Sequence, residues 1–512
     1  MAGHSAIRGD RFSLIEAAKA SCAPLAKTLY YPLSPPQNDK YNPARPSSYN
    51  PKDLPMRTQQ GYWNTINRLA AATTKKAEAT ITRETGVSRL PLCAASPAFI
   101  HPTFFPMDPF HLFYENCMAF LWDTMTGVKK HGPDPIHLSQ AERLGALIPL
   151  AMETLPPSFS GPIRDIYLKR NSQYKIYEFM AVCHWYFIPI AIELSFNSSV
   201  LANFARFVEA IEFAMTTKPR SLKDLSYLQN LIADFLTNYE RLYIGENPEK
   251  IIRSRLCIFQ LIHIPIHIQW NGSIRLGSQA TVERAIGEEA HKIRSKKSPF
   301  SNLANIIYRR ELFRILLLYY PELLDSPKKT AVVGSNGMQA HRIAWTKVKT
   351  NSKLSTDLRA ISAYLGQDVT QSDPSISIQR WGKLKFHSSR SPANPGTQAT
   401  PSKQTSEGTN LLFGHAHAFY TIKTSTFSKT LVVYTPLCSV KTIFRIPRGS
   451  WGLDGSEKVL DVLCICNLVG IWVGVNTREV YILRKHPGLD YLTTEERGVE
   501  EDSDAESGDE NE

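Results

Sequence analysis

Apolar residues along this chain recur first with a helical period and later with the alternation of strands. Helical spacing starts near Gln60 (QGYWNTINRLAAATTKKAEATITRETG) and stops at Gly86, a residue suited to a left-handed cap. Residues 90–105 are apolar but broken by Pro91, Pro97 and Pro102, which predicts a short strand or extended loop. Further helices are predicted over 110–126, 137–155, 172–216, 221–244, 250–269, 279–295 and 300–324. Beyond about residue 410 the pattern becomes strand-like: LLFGHAHAFYTIKT, KTLVVYTPL, SVKTIFRIP and REVYILRKH, with Pro436, Gly449 and Gly470 as expected turns. This predicts a small antiparallel β-module or barrel.

Between and around these segments the composition changes. Seven prolines between Tyr30 and Pro55 predict a flexible, Pro-rich arm over 1–59. Ser, Thr, Pro and Gln dominate 350–410, giving a linker over 326–410 ahead of the β-module at 411–492. Residues 493–512 form an expected disordered acidic tail. The fold class expected is therefore mainly α, with an α/β part and a terminal β-module.

Charge separates the tail from the rest. Residues 495–512 hold ten carboxylates against Arg497, a net of −9, and the whole chain carries +12, which leaves +21 on residues 1–494. Such a body suits a polyanion, although part of that charge serves solubility. No run of about 18 apolar residues is present to span a bilayer, and no secretory signal opens the sequence. The eight cysteines form no C-x-x-C pair, so a reducing compartment is expected, and Cys464 and Cys466 read as core thiols.

The densest chemistry lies in residues 102–127, PTFFPMDPFHLFYENCMAFLWDTMTG. Asp108 follows an apolar run and precedes Pro109, with His111 and Asn116 on the predicted helix. A carboxylate at a strand end beside a starting helix presents a divalent-metal ligand well. The competing reading makes Asp108 an N-cap and Pro109 the first helical residue. His263 and His267, four apart around Pro265, have a zinc-compatible spacing without a second ligand pair; a core role is the alternative. HKIRSKKS (residues 291–298), with Lys292, Arg294, Lys296 and Lys297, and the pair Arg309 and Arg310 are candidate phosphate contacts or a solvated basic face. No phosphate loop, G-x-S-x-G elbow or clear dinucleotide fingerprint occurs, so no small-molecule substrate is evident.

Five blocks in order carry a resemblance. They are DPFHLFYENCMAFLWDTMTG, LPPSFSGPIRDIYLKRNSQYKIYEFMAV, NYERLYIGENPEKIIRSRLCIFQLIHIPIHIQWNG, ATVERAIGEEAHKIRSKKSPFSNLANIIYRRE and VGIWVGVNTREVYILRKHPGLDYL. Together they resemble the C-terminal portion of the CACTA-type (En/Spm-like) DNA transposases of fungi, across about residues 60–492. Phe110 stands where that family has Met. The resemblance implies a nuclear, transposon-derived protein with DNA as partner, self-association as a further one, and no membrane. It implies a partial RNase H-like region over 60–325 with a helical insertion over about 150–275. It also implies metal-dependent phosphoryl transfer with Mg or Mn, Asp108 as one metal ligand and Glu283 as another, with Glu178 as the rival for that last place. The family's first catalytic Asp has no counterpart here: Asp10, Asp39 and Asp53 sit in the Pro-rich arm, with no strand expected to carry them. The site is thus expected to be incomplete and the activity absent. The alternative is a non-catalytic DNA- or protein-binding remnant.

Overall fold

The computed structural model describes residues 6–19, 29–36, 46–127, 134–152, 155, 159–172, 174–323, 341–344, 354–370, 373–381, 383–386, 402–405, 408–452, 457–465 and 469–484. The acidic tail and most of residues 324–353 and 387–407 lie outside them. The fold is mixed helix and sheet, and every described strand pair is antiparallel.

The helices fall close to where the apolar period placed them. The first helical stretch divides into Gln59–Ala70 and Lys75–Thr85, each opened by a threonine: Thr58 Oγ1 accepts from the Gly61 N–H and Thr74 Oγ1 from the Ala77 N–H. Gly86 closes the second at φ +73°, and a Cβ there would sit 1.9 Å from the Arg8 carbonyl oxygen. Glycine is required twice over, by the backbone and by the space. The central body is built from Ala141–Ala151, Phe187–Glu193, Ser198–Ala214 and Leu222–Tyr239, whose apolar faces share one core. Among the described residues, three π-helical stretches interrupt it, at His111–Met118, Val182–Tyr186 and Glu240–Ile244.

Four expectations change. The segment read as an arm over 1–59 is packed in its described parts: Phe12, Ile15, Tyr31 and Leu33 belong to the main core. Asp10 is fully buried there, accepting from Ser13 N–H and Oγ at 2.6 Å and facing His263 Nε2 at 2.9 Å. Prolines made the segment look loose, but an extended chain with alternate apolar residues packs as well as a helix once a groove exists to receive it. The stretch read as linker contains the helix Leu354–Leu365 and the strand Ser377–Trp381, which belong with the sheet: Leu358 and Ile361 pack under Leu431 and Val433.

The sheet runs Val469–Val473, Val480–Arg484, Ile446–Trp451, Ser428–Ile443, Gly414–Lys423, Ser377–Trp381, with Lys458–Asp461 also pairing to the long fourth strand. Pro436, Gly449 and Gly470 lie inside strands rather than at turns. Pro436 falls between the stretches that pair with Lys458–Asp461 and Ile446–Trp451, where the missing N–H costs no ladder bond on that side. Gly449 lies so close to its neighbour that a Cβ would stand 2.5 Å from the Cys438 carbonyl oxygen.

This sheet is joined to the helical body rather than set apart from it. Ile446, Trp472, Tyr481 and Leu483 enter the helical core, and the Trp185 indole N–H donates to the Arg484 carbonyl at 3.1 Å. Glu193 is buried at the junction and accepts from Thr477 Oγ1 (2.5 Å), Tyr481 OH (2.8 Å) and the N–H groups of Asn476 and Thr477 (3.0 and 3.1 Å). The hairpin tip Phe444–Arg445 holds both residues at positive φ, where Asn-Gly is usual, and Arg445 spans to Glu209 (2.9 Å) and Glu212 (3.0 Å). Those ion pairs offset the strain of a bulky residue in that turn.

Candidate functional site

Asp108 does not end a strand. It follows a turn-rich stretch and a short extended piece, and the helix begins at once, at Pro109. Its Oδ1 accepts from the Phe110 N–H at 3.0 Å, so the capping geometry read from Asp-Pro is realised. The other oxygen, Oδ2, pairs with His111 Nδ1 three residues on.

The ring of His111 then carries the contact across the fold. Its Nε2 faces Glu283 Oε1 at 2.9 Å and Glu115 Oε2 at 3.4 Å. Asp108 and Glu283, 175 positions apart in the sequence, are thereby gathered on one imidazole. Two features make this approach feasible. The Gln279 N–H reaches Asp108 Oδ1 at 3.4 Å just before the helix Ala280–Lys292, which carries Glu283 in its first turn. Gly277 lets that connection lie against the segment before Asp108: a Cβ there would be 2.4 Å from the Met107 carbonyl oxygen. Behind the contact is a cavity of about 220 Å³, lined in part by Pro106, Met107, His267 and Asn271.

With carboxylates on both ring nitrogens, His111 donates from both, which requires the imidazolium. Burial pushes its pKa down, but the hydrogen bond to Asp108 and the charges of Asp108, Glu283 and Glu115 outweigh this, and it is raised. The π-helical turn places His111 and Glu115 on the same side, and Asn116 Nδ2 donates to the His111 carbonyl at 2.9 Å. Such π stretches are frequent at functional sites. Sequence reading noted His111 but not its bridging place, and it missed Glu115 and Gln279. The i,i+4 spacing of His111 and Glu115 was the available signal.

Glu178 lies elsewhere. Its side chain is fully enclosed, accepting from Arg164 Nε (2.8 Å) and Nη2 (2.5 Å) and from the backbone N–H groups of Arg164 (3.0 Å) and Lys175 (2.7 Å). Burial raises its pKa, yet these bonds outweigh that and hold it low. No lone pair is left for a ligand, and the residue anchors the turn that starts Ile176–Ala181.

The donor chemistry around Asp108 suits a hard cation, carboxylate oxygens being what Mg and Mn take. The arrangement does not. Among the described residues no three His, Cys, Asp or Glu side chains converge on a point that could hold an ion. The reason is visible: His111 stands between Asp108 and Glu283, which occupy opposite edges of its ring. Asp10, the fully buried acid of the N-terminal segment, is committed to Ser13 and His263; burial pushes its pKa up, but the charge and hydrogen bond of His263 and the hydrogen bonds from Ser13 outweigh this and lower it. The zinc-like spacing of His263 and His267 is used in the core: His263 faces Asp10, and His267 meets the Phe12 ring edge-on at 4.4 Å.

The basic candidates gather on one projecting helical hairpin. Lys292, Arg294, Lys296 and Lys297 lie exposed at its bend, and Arg309 and Arg310 lie on its second helix, Pro299–Tyr319. Glu283 is at the base of the same hairpin. None of the helices among the described residues is long and apolar enough to cross a membrane. Comparison with protein families, curated proteins and solved structures finds no match to this chain.

Proposed function

We propose that this chain is a transposon-derived nuclear protein of the CACTA-transposase kind, which binds DNA and does not cut it unaided. One observation carries the reading: the two acids singled out by motif resemblance, Asp108 and Glu283, come from distant parts of the sequence and meet at one half-exposed position. The basic bend begins on the helix that carries Glu283, so a DNA backbone held by Lys292, Arg294, Lys296 and Lys297 passes near the acids. The helices within residues 150–275 and the helix that carries Glu283 support the reading of a helical insertion with a carboxylate beyond it, whereas the described residues before 325 offer no sheet beyond the two-residue pairing of Ala18–Lys19 with Leu29–Tyr30.

Two-metal phosphoryl transfer needs acids that clamp both ions, and the described residues supply no such clamp. Binding without cleavage is the activity expected. The test is DNA binding by the full chain across a salt series, together with nicking assays in Mg²⁺ and Mn²⁺. Binding should weaken steeply with salt, and the variant Lys296→Ala/Lys297→Ala should flatten the log–log slope by up to about 2. Salt-independent binding, or none, overturns the DNA reading. Nicking that disappears in Asp108→Ala overturns the absence of catalysis.

A further inference from the structure

Cys117 and Cys257 stand 140 positions apart in the sequence and meet inside the fold. Cys117 lies on the π-helical stretch His111–Met118, fully buried in the main core. Cys257 lies on the short helix Leu256–Gln260, half-buried at the edge of the same core. The Cys117 thiol donates to the Cys257 carbonyl at 3.3 Å, and the two thiols are within hydrogen-bonding reach of each other. Sulfurs that share a hydrogen bond have to close by only roughly 1–2 Å to reach disulfide length.

The two surroundings differ as a reactive pair requires. The hydrogen bond from Cys117 lowers the pKa of Cys257 against the upward push of burial, helped by the Arg255 charge and the Ile258 N–H. Arg255 is exposed, with its guanidinium over the Phe120 ring at 4.8 Å. Burial, and then the contact with Cys257, push the Cys117 thiol well up. One sulfur is thus poised as a thiolate near the surface, and the other is a protonated thiol behind it.

We infer that Cys117 and Cys257 form a dithiol that a small peroxide oxidises to a disulfide, with Cys257 attacking and Cys117 resolving. The Cys257 thiolate attacks one peroxide oxygen and the O–O bond breaks. The leaving hydroxide takes a proton and departs as water, which leaves Cys257 as a sulfenic acid. The Cys117 sulfur then attacks the Cys257 sulfur, its proton goes to the departing hydroxyl, and a second water forms with the S–S bond. Two thiols and one hydrogen peroxide become one disulfide and two waters. In a reducing compartment the pair stays a dithiol until peroxide appears, and cellular thiols reverse the bond. The disulfide would tie the stretch that carries His111 and Glu115 to the helix Leu256–Gln260. This oxidation stands apart from any contact with DNA.

The experiment treats the reduced full-length chain with hydrogen peroxide, alkylates the remaining thiols under denaturing conditions, and maps peptides by mass spectrometry without reduction. The expected product is a Cys117–Cys257 cross-link, about 2 Da lighter than the two reduced peptides together and reversed by dithiothreitol. Cys183, as deeply buried but facing the Glu212 charge, should stay reduced. In Cys117→Ser, Cys257 should stop at a sulfenic acid that dimedone traps. Cys257→Ser changes only a half-buried position, and there Cys117 should lose its thiol at least about tenfold more slowly. Three results would each overturn the inference: a cross-link from either residue to another cysteine, over-oxidation of wild-type Cys257 while Cys117 keeps its thiol, or both thiols intact once exposed Cys438 is fully oxidised.

Discussion

Glu178 and Glu283 occupy helices with similar local sequence signals, and only their surroundings tell them apart. Glu178 is walled in, with Arg164 and two backbone N–H groups using its oxygens. Glu283 is half-exposed and shares one imidazolium with Asp108 and Glu115. The first arrangement converts a costly buried charge into a folding contact; the second keeps carboxylates accessible and close, at the cost of local repulsion that His111 relieves. A carboxylate's role is therefore set by who else claims its lone pairs.

The largest effect should separate these two residues. Glu178→Ala leaves Arg164 and the Lys175 N–H without their acceptor, and unfolding in denaturant should show a loss of about 3 kcal/mol, the lower end for a broken buried pair because Arg164 is partly solvated. Glu283→Ala should cost under about 1 kcal/mol, as expected of exposed pairs. Equal losses at the two positions would erase the distinction. Next in size is Glu193→Ala, which strips the acceptor from Tyr481 and Thr477 and should cost about 2 kcal/mol while loosening the sheet from the helical body, readable as faster amide exchange in residues 469–484. Exchange confined to the helices would place the junction elsewhere.

Gly277→Ala tests how the acids are brought together. The added methyl meets the Met107 carbonyl, and the strain should cost about 1–3 kcal/mol and move Glu283 away from His111. An unperturbed crystal structure of that variant would show that glycine is not what allows the approach. A further effect concerns pH. Asp134 is buried, which pushes its pKa up, but hydrogen bonds from Lys250 and Arg253 dominate and bring it down to about 2. A depressed carboxylate stabilises the fold above its unfolded pKa near 4, and that contribution falls away as pH drops through about 2. Acid titration of stability should thus lose up to about 2 kcal/mol between pH 4 and 2, and Asp134→Asn should flatten that window. A variant with the same acid profile as wild type would remove Asp134 from the account.

Helices were readable because their signal is local. The caps at Thr58, Thr74 and Gly86 and the apolar stripes of Ser198–Ala214 and Leu222–Tyr239 act within a few residues. Asp108 as a cap was readable for the same reason. The N-terminal segment was not, since prolines carry no record of the groove that receives Phe12 and Tyr31. Pro436 and Gly449 looked like turns because their usual meaning is local, whereas here each answers to a neighbouring strand.

The helices of the body and the capping place of Asp108 were thus present in the linear chain, each being a matter of neighbours within one or two turns. Which acids meet was not. That Glu283 reaches His111 while Glu178 is spent on Arg164, and that Glu193 locks the sheet onto the helices, depends on contacts across as many as 288 positions. Such contacts are chosen by how the apolar faces close on one another. Their energy exists only after the intervening chain has been ordered, so no local pattern could record it.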